Sequence, residues 1–75
     1  MTAGEILDRV SSHAAIVREK RRVLETMKMR YYGGACNYDE LAEAARAFCD
    51  AFYAYQIAKV GRKKARRPDF RSVIR

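Results

Sequence analysis

Two long segments with helical spacing of apolar residues lie on either side of Gly33 and Gly34, and this division leaves few folds open to the chain. The first segment opens with Thr2 and Glu5, the pattern of a capping box. Its apolar residues follow a heptad seam with apolar flanks and two polar members. The seam is Ile6, Val10, Val17, Leu24, Met27 and Tyr31, flanked by Leu7, Ala14, Ile16 and Val23, with His13 and Lys20 as its polar members. We therefore predict a first helix over residues 3–32.

The glycine pair ends this helix, because glycine just after a helix takes the left-handed conformation at little cost. Asn37 then caps the second segment, with Glu40 three residues further on. The loop over residues 33–37 has the length that joins antiparallel helices. The predicted second helix covers residues 38–60, so the expected fold class is all-α, an antiparallel helical hairpin.

The second helix is apolar nearly all round, which is typical of a buried helix. Between residues 44 and 58 the only charges are Arg46 and Asp50, spaced as an i,i+4 pair. One seam is Tyr38, Leu41, Ala45, Phe48, Phe52 and Tyr55, and a neighbouring seam is Ala44, Ala47, Ala51, Ala54 and Ala58. The alanines are also consistent with a solvent-exposed face, since alanine is the best helix former. We favour an interface, because aromatic residues crowd around the alanines and one partner helix cannot cover both seams.

Self-association would also supply the stability that a chain of 75 residues needs. The alternatives are a metal or a disulfide. A structural zinc site takes about four ligands, and the chain offers Cys36, Cys49 and a lone His13. On a helix, Cys49 would lie about 18 Å from the loop that holds Cys36, too far for a disulfide. We predict reduced thiols, no cofactor, a cytoplasmic protein, and a homodimer that forms a four-helix bundle.

Membrane insertion is not expected. No signal peptide is visible. The longest mostly apolar uncharged run, residues 51–58, is far shorter than the roughly 18 residues of a membrane span.

The positive charge is concentrated at the C-terminus. The chain carries a net charge of +7, and residues 61–75 contain seven basic residues and one acidic residue, which gives +6. Gly61 weakens or ends the helix before this basic C-terminal tail, and Pro68 interrupts it. A concentrated block of like charge directs a field at an anion. We predict that nucleic-acid phosphates contact Arg62, Lys63, Lys64, Arg66, Arg67 and Arg71.

A second basic cluster, Arg18, Arg21 and Arg22, is a further candidate, although such a cluster is also typical of a solvated helix face. In a hairpin it lies about 20–25 Å from the origin of the tail. A flexible tail would be able to share one ligand with it.

A larger protein is the alternative partner. Phe70, Val73 and Ile74 are spaced for one helical turn that docks on a hydrophobic surface. The chain would then be an adaptor or inhibitor of the phage or mobile-element type, docking through this motif and the apolar face of the second helix, including Phe48, Phe52, Tyr55 and the alanines. Binding to an anionic membrane surface is less favoured, because the tail has few apolar anchors.

Catalysis is not expected. His13 lies in an apolar seam, and spacing places no serine or cysteine to use it as a base. The glycine pair lacks the Lys-Ser/Thr of a phosphate loop. Tyr31, Tyr32, Tyr53 and Tyr55 could stack bases, but at helical spacing tyrosines are more often core residues. Zinc-finger and RRM signatures are absent from the sequence, so we predict a non-enzymatic accessory or regulatory binding protein.

Overall fold

The fold is all-α, as predicted. A computed structural model describes residues 2–74, apart from the side chains of Ala3, Ile6 and Leu7, so the predicted roles of Ile6 and Leu7 lie outside the described residues. It contains α1 (Ala3–Tyr32), α2 (Tyr38–Val60) and α3 (Phe70–Ile74), with no strand in residues 2–74. The bounds of α1 and α2 agree with the two predicted helices.

Side chains and one glycine fix the helix ends. Thr2 Oγ1 accepts a 3.3 Å hydrogen bond from the Glu5 amide, and the Glu5 carboxylate accepts one from the Thr2 amide. Asn37 Oδ1 accepts a 2.9 Å bond from the Glu40 amide, which confirms the second cap. Gly34, rather than Gly33, takes the left-handed conformation, with φ of +80° against −85° for Gly33.

Two backbone hydrogen bonds explain why Gly34 is the left-handed residue. The Ala35 amide donates to the Arg30 carbonyl at 2.7 Å, and the Gly34 amide donates to the Tyr31 carbonyl at 3.1 Å. These two bonds form a Schellman motif, in which the left-handed residue is the second one after the helix.

α1 and α2 pack side by side in opposite directions. Near the loop, the ring centroids of Tyr31 and Tyr38 are 6.0 Å apart. Further along, Leu24 packs with Leu41 and Ala45 in a cluster in which each residue is at most 2 % exposed. Closer to the open end, Tyr55 of α2 lines a groove with residues 11–18 of α1. A residue early in α2 therefore faces one late in α1.

The C-terminal segment folds back onto this hairpin. We call residues 61–74 the return segment. It begins at Gly61, whose φ of +87° and ψ of 160° suit glycine, and the Ala65 amide donates to the Gly61 carbonyl at 3.0 Å. Phe70, Val73 and Ile74 then pack against the core cluster. The motif forms the helical turn that the sequence suggested, and it docks on the chain's own hairpin.

The hairpin therefore has one covered face and one bare face. Cys49, 3 % exposed, lines a groove with Phe70 on the covered face. Ala47, two positions earlier and so about 200° away around α2, lines a groove with Val23 and Met27 of α1. The principal-axis extents of 48 × 21 × 14 Å match this thin arrangement. Every residue that lines the second groove belongs to α1 or α2, and none belongs to the described part of the C-terminal segment.

Candidate nucleic-acid interface

The basic residues of the return segment lie on its surface. Arg62, Lys63 and Lys64 form the turn that follows α2, and all three are exposed. Arg66 and Arg67 are exposed where the chain runs back towards α3. The turn that begins at Gly61 thus places three cations at the open end of the hairpin, and two more follow within the next three residues.

Two cations of the segment have intramolecular partners. The Arg67 guanidinium donates to Asp50 of α2, and both side chains are at least 60 % exposed. Arg71 Cζ lies 6.0 Å from the centroid of the Phe70 ring. The Arg71 amide and the Ser72 amide donate to the side chain and the carbonyl of Asp69, so this acid caps α3.

The other four have no acidic partner within residues 2–74. No ion pair in the described part of the chain involves Arg62, Lys63, Lys64 or Arg66. Asp50 of α2 already bonds Arg67, and Asp69 of the segment itself already bonds a backbone amide. The four cations are therefore placed to neutralise the charge of an external anion.

Arg46 and Asp50 do not form the i,i+4 pair that their spacing suggested. The Arg46 guanidinium instead lies over the Phe70 ring, with 5.1 Å between Cζ and the ring centroid, while Asp50 accepts from Arg67. Both side chains contact the return segment. The i,i+4 spacing did not predict these contacts, because they depend on how the segment folds back.

The covered face also buries a thiol. Burial raises the pKa of Cys49, the neighbouring Asp50 carboxylate raises it further, and Arg67 partly opposes these effects. Cys36 lies in the loop region, where its thiol donates to the Met27 carbonyl at 3.5 Å. Both cysteines are free, and the Cys49 thiol is a poor nucleophile because it is shielded and protonated.

The mid-helix cluster of α1 is only partly joined to the segment. Arg18, Arg21 and Arg22 are all exposed. Arg21 lines a groove with Ser72 and Val73 of the return segment. Arg22 is the next residue and so points about 100° further around α1. The segment thus comes closer to Arg21 than its origin at Gly61 suggested, through Ser72 and Val73 rather than through its basic turn.

The candidate aromatic residues stabilise the fold. Phe48 and Phe52 stack with centroids 6.0 Å apart, Tyr55 continues the row at 6.3 Å from Phe52, and all three are partly buried. Phe70 and Ile74, predicted to dock on a partner, are partly buried against the chain's own core. Stacking on a base, the other role suggested for Tyr55, would require its ring to leave the row with Phe52.

Two tyrosines of α1 also have intramolecular contacts. The rings of Tyr31 and Tyr32 meet edge to face, with centroids 5.6 Å apart. Tyr32 is 69 % exposed, and its hydroxyl bonds the return segment. Tyr53 and His13 are partly buried on their helices.

The five predicted interface alanines lie side by side on α2. Ala44 packs against the core cluster and, like the others, is only partly buried. On α1, the neighbouring Ile16 and Val23 are 43 % and 47 % exposed.

Among the described residues, no three His, Cys, Asp or Glu side chains come together in a way that could hold a metal ion. None of the described helices combines the length and the apolar character needed to cross a membrane.

The chain matches no protein-family model, no curated protein and no solved structure. The function is therefore inferred from the residues themselves and their placement.

Proposed function

We propose that this is a non-enzymatic nucleic-acid-binding protein whose return segment contacts phosphates, as an accessory or regulatory factor. The supporting observation is the set of four exposed cations, Arg62, Lys63, Lys64 and Arg66, without an acidic partner in residues 2–74. Charge neutralisation of this kind gives affinity with little base readout.

A purely structural role does not explain this charge. Cations after a helix C-terminus are favoured by its dipole by about 0.3–1 kcal/mol each, but only within the last turn. Residues 61–75 carry +6, and the cations of a folded turn repel one another. A bound polyanion offsets this repulsion and releases its counterions. Both effects favour the binding of phosphates over the binding of a neutral partner.

We also propose that the hairpin self-associates into a four-helix bundle. Exposed Ile16 and Val23 beside the alanines of α2 support it, because apolar faces of this kind are normally covered. A larger protein is the competing occupant of the same face. Its second predicted docking element, Phe70 with Ile74, already packs on the hairpin, and this weakens the adaptor alternative.

Fluorescence anisotropy with labelled single strands and duplexes of DNA and RNA tests phosphate binding. Substitution is better than truncation at Gly61, because truncation also removes Phe70 from the core. We expect the quadruple variant Arg62→Gln, Lys63→Gln, Lys64→Gln and Arg66→Gln to keep the helical circular dichroism and lose most of the binding. Unchanged binding by the folded variant would reject the proposal.

A further inference from the structure

We propose that the bare face pairs with the bare face of a second copy, with the two α2 helices antiparallel and the twofold axis near Ala51. The bare face consists of Ile16, Val23 and Met27 of α1 and Ala44, Ala47, Ala51, Ala54 and Ala58 of α2. This inference deepens the self-association proposed above, and it does not depend on nucleic-acid binding.

The two faces of the hairpin differ in what covers them. α3 packs over the face that contains Cys49, whereas Ile16 and Val23 on the opposite side remain 43 % and 47 % exposed. A hairpin of this thickness becomes a two-layered domain only when a further layer is added. A twofold dimer supplies that layer from the same surface on both copies.

The alanine spacing is nearly symmetric about Ala51. Ala47 precedes it by four positions and Ala54 follows it by three, while Ala44 and Ala58 are each seven positions away. An antiparallel pairing centred on Ala51 therefore places Ala44 opposite Ala58 and Ala47 opposite Ala54. Small side chains facing one another allow close approach of the two backbones.

The α1 helices fit the same axis. Across the hairpin, Leu24 packs with Ala45 and residues 14–18 lie beside Tyr55, so Ala51 is level with about residue 19 of α1. The midpoint of Ile16 and Val23 falls between residues 19 and 20. The axis that superposes the alanines thus also sets Ile16 of one copy opposite Val23 of the other.

Charge complementarity favours a second copy of the chain as the partner, and it favours antiparallel α2 helices. Glu40 and Glu43 edge the bare face at its loop end, and Asp39 lies beside them in the first turn of α2. Lys59 lies at its other end, in the last turn of α2. Antiparallel docking brings the acidic end of each copy to the basic end of the other, whereas parallel docking brings like charges together.

Sedimentation of wild type and two alanine variants tests the surface. Ala51→Glu places a charge in the proposed interface and should give a helical monomer, because Ala51 is partly exposed within one chain. Ala15→Glu is the matched control, since Ala15 is an exposed helical alanine away from the bare face, and it should remain a dimer. A monomeric wild type would overturn both the self-association and this inference. An Ala51→Glu dimer as stable as wild type would overturn this inference alone, because the copies would then associate through another surface.

Disulfide crosslinking tests the orientation separately. In a folded Cys36→Ser, Cys49→Ala background, Ala51→Cys should crosslink to itself. Ala44→Cys and Ala58→Cys should crosslink when mixed, and neither should crosslink alone. Efficient self-crosslinking of Ala44→Cys would indicate parallel helices and overturn the antiparallel orientation while leaving the dimer intact.

Discussion

The Tyr32 hydroxyl donates a 3.3 Å hydrogen bond to the carbonyl oxygen of Ile74, which joins the last residue of α1 to the last residue of α3. Arg67, which precedes α3 in the chain, bonds Asp50 of α2. Between these two contacts, Phe70 and Val73 pack on the core. The basic charges are therefore attached to a folded scaffold, and their positions depend on its packing.

Loss of the Phe70 ring should loosen the return segment. Full burial of phenylalanine makes Phe→Ala cost about 3–5 kcal/mol, and Phe70 is only partly buried. We expect Phe70→Ala to lower the free energy of unfolding by about 2 kcal/mol, measured by urea denaturation. The neighbouring exposed Ser72 provides the control, and Ser72→Ala should change it by less than about 0.5 kcal/mol. Equal effects would show that α3 does not stabilise the hairpin.

Removing the Asp50 carboxylate should favour nucleic-acid binding. Asp50 and Arg67 are largely exposed, so Asp50→Asn should cost at most about 1 kcal/mol of stability. It also releases Arg67 for phosphate. We expect tighter binding at low salt, with the slope of log K against log salt more negative by about 0.9. Weaker binding by a fully folded Asp50→Asn variant would contradict the role given to Arg67.

The two thiols should differ in reactivity. Cys49 is 3 % exposed with a raised pKa, so at a given pH less of it is thiolate, and its alkylation rate should rise only at higher pH than that of an ordinary thiol. We expect mass spectrometry to find Cys36 modified first. Phe70→Ala should raise the alkylation rate of Cys49 and leave that of Cys36 unchanged. If Cys49 reacts as fast as Cys36 in wild type, the return segment does not cover it.

Both proposals together imply a preference for long duplexes. Arg62 is eleven positions from Ala51, so an antiparallel dimer separates its two basic turns by about 33 Å along α2, close to one turn of B-form DNA at about 34–36 Å. We expect a duplex of about two turns to bind more tightly per site than one of about half a turn, through avidity. Ala51→Glu should abolish this difference, and a length-independent wild type would contradict it.

Local chemistry made much of the hairpin predictable. The bounds of α1 and α2 follow from the caps Thr2 and Asn37 and from the glycine pair, all of which act within a few residues. The sequence did not predict that Gly34 would be the left-handed residue, because this depends on which carbonyls accept from the Gly34 and Ala35 amides.

The course of the return segment was not predictable in the same way. The spacing of Phe70, Val73 and Ile74 indicates a docking turn, but not the surface on which it docks. That surface includes Leu24 and Ala45, which are distant in sequence. The pairing of Arg67 with Asp50 follows only after the segment has docked, so the charges could be counted from the sequence while their partners could not.

The salt dependence of binding separates the return segment from general surface charge. We would titrate one labelled duplex across several salt concentrations with wild type, Lys63→Gln/Arg66→Gln and the matched control Arg22→Gln/Arg30→Gln, in which two exposed cations of α1 are lost instead. Four to six neutralised phosphates give wild type a slope of about −3.6 to −5.4, and loss of Lys63 and Arg66 should make it less negative by nearly 2. The control should keep the wild-type slope. A flat wild-type response, or equal slopes for the two double variants, would contradict phosphate binding by the return segment.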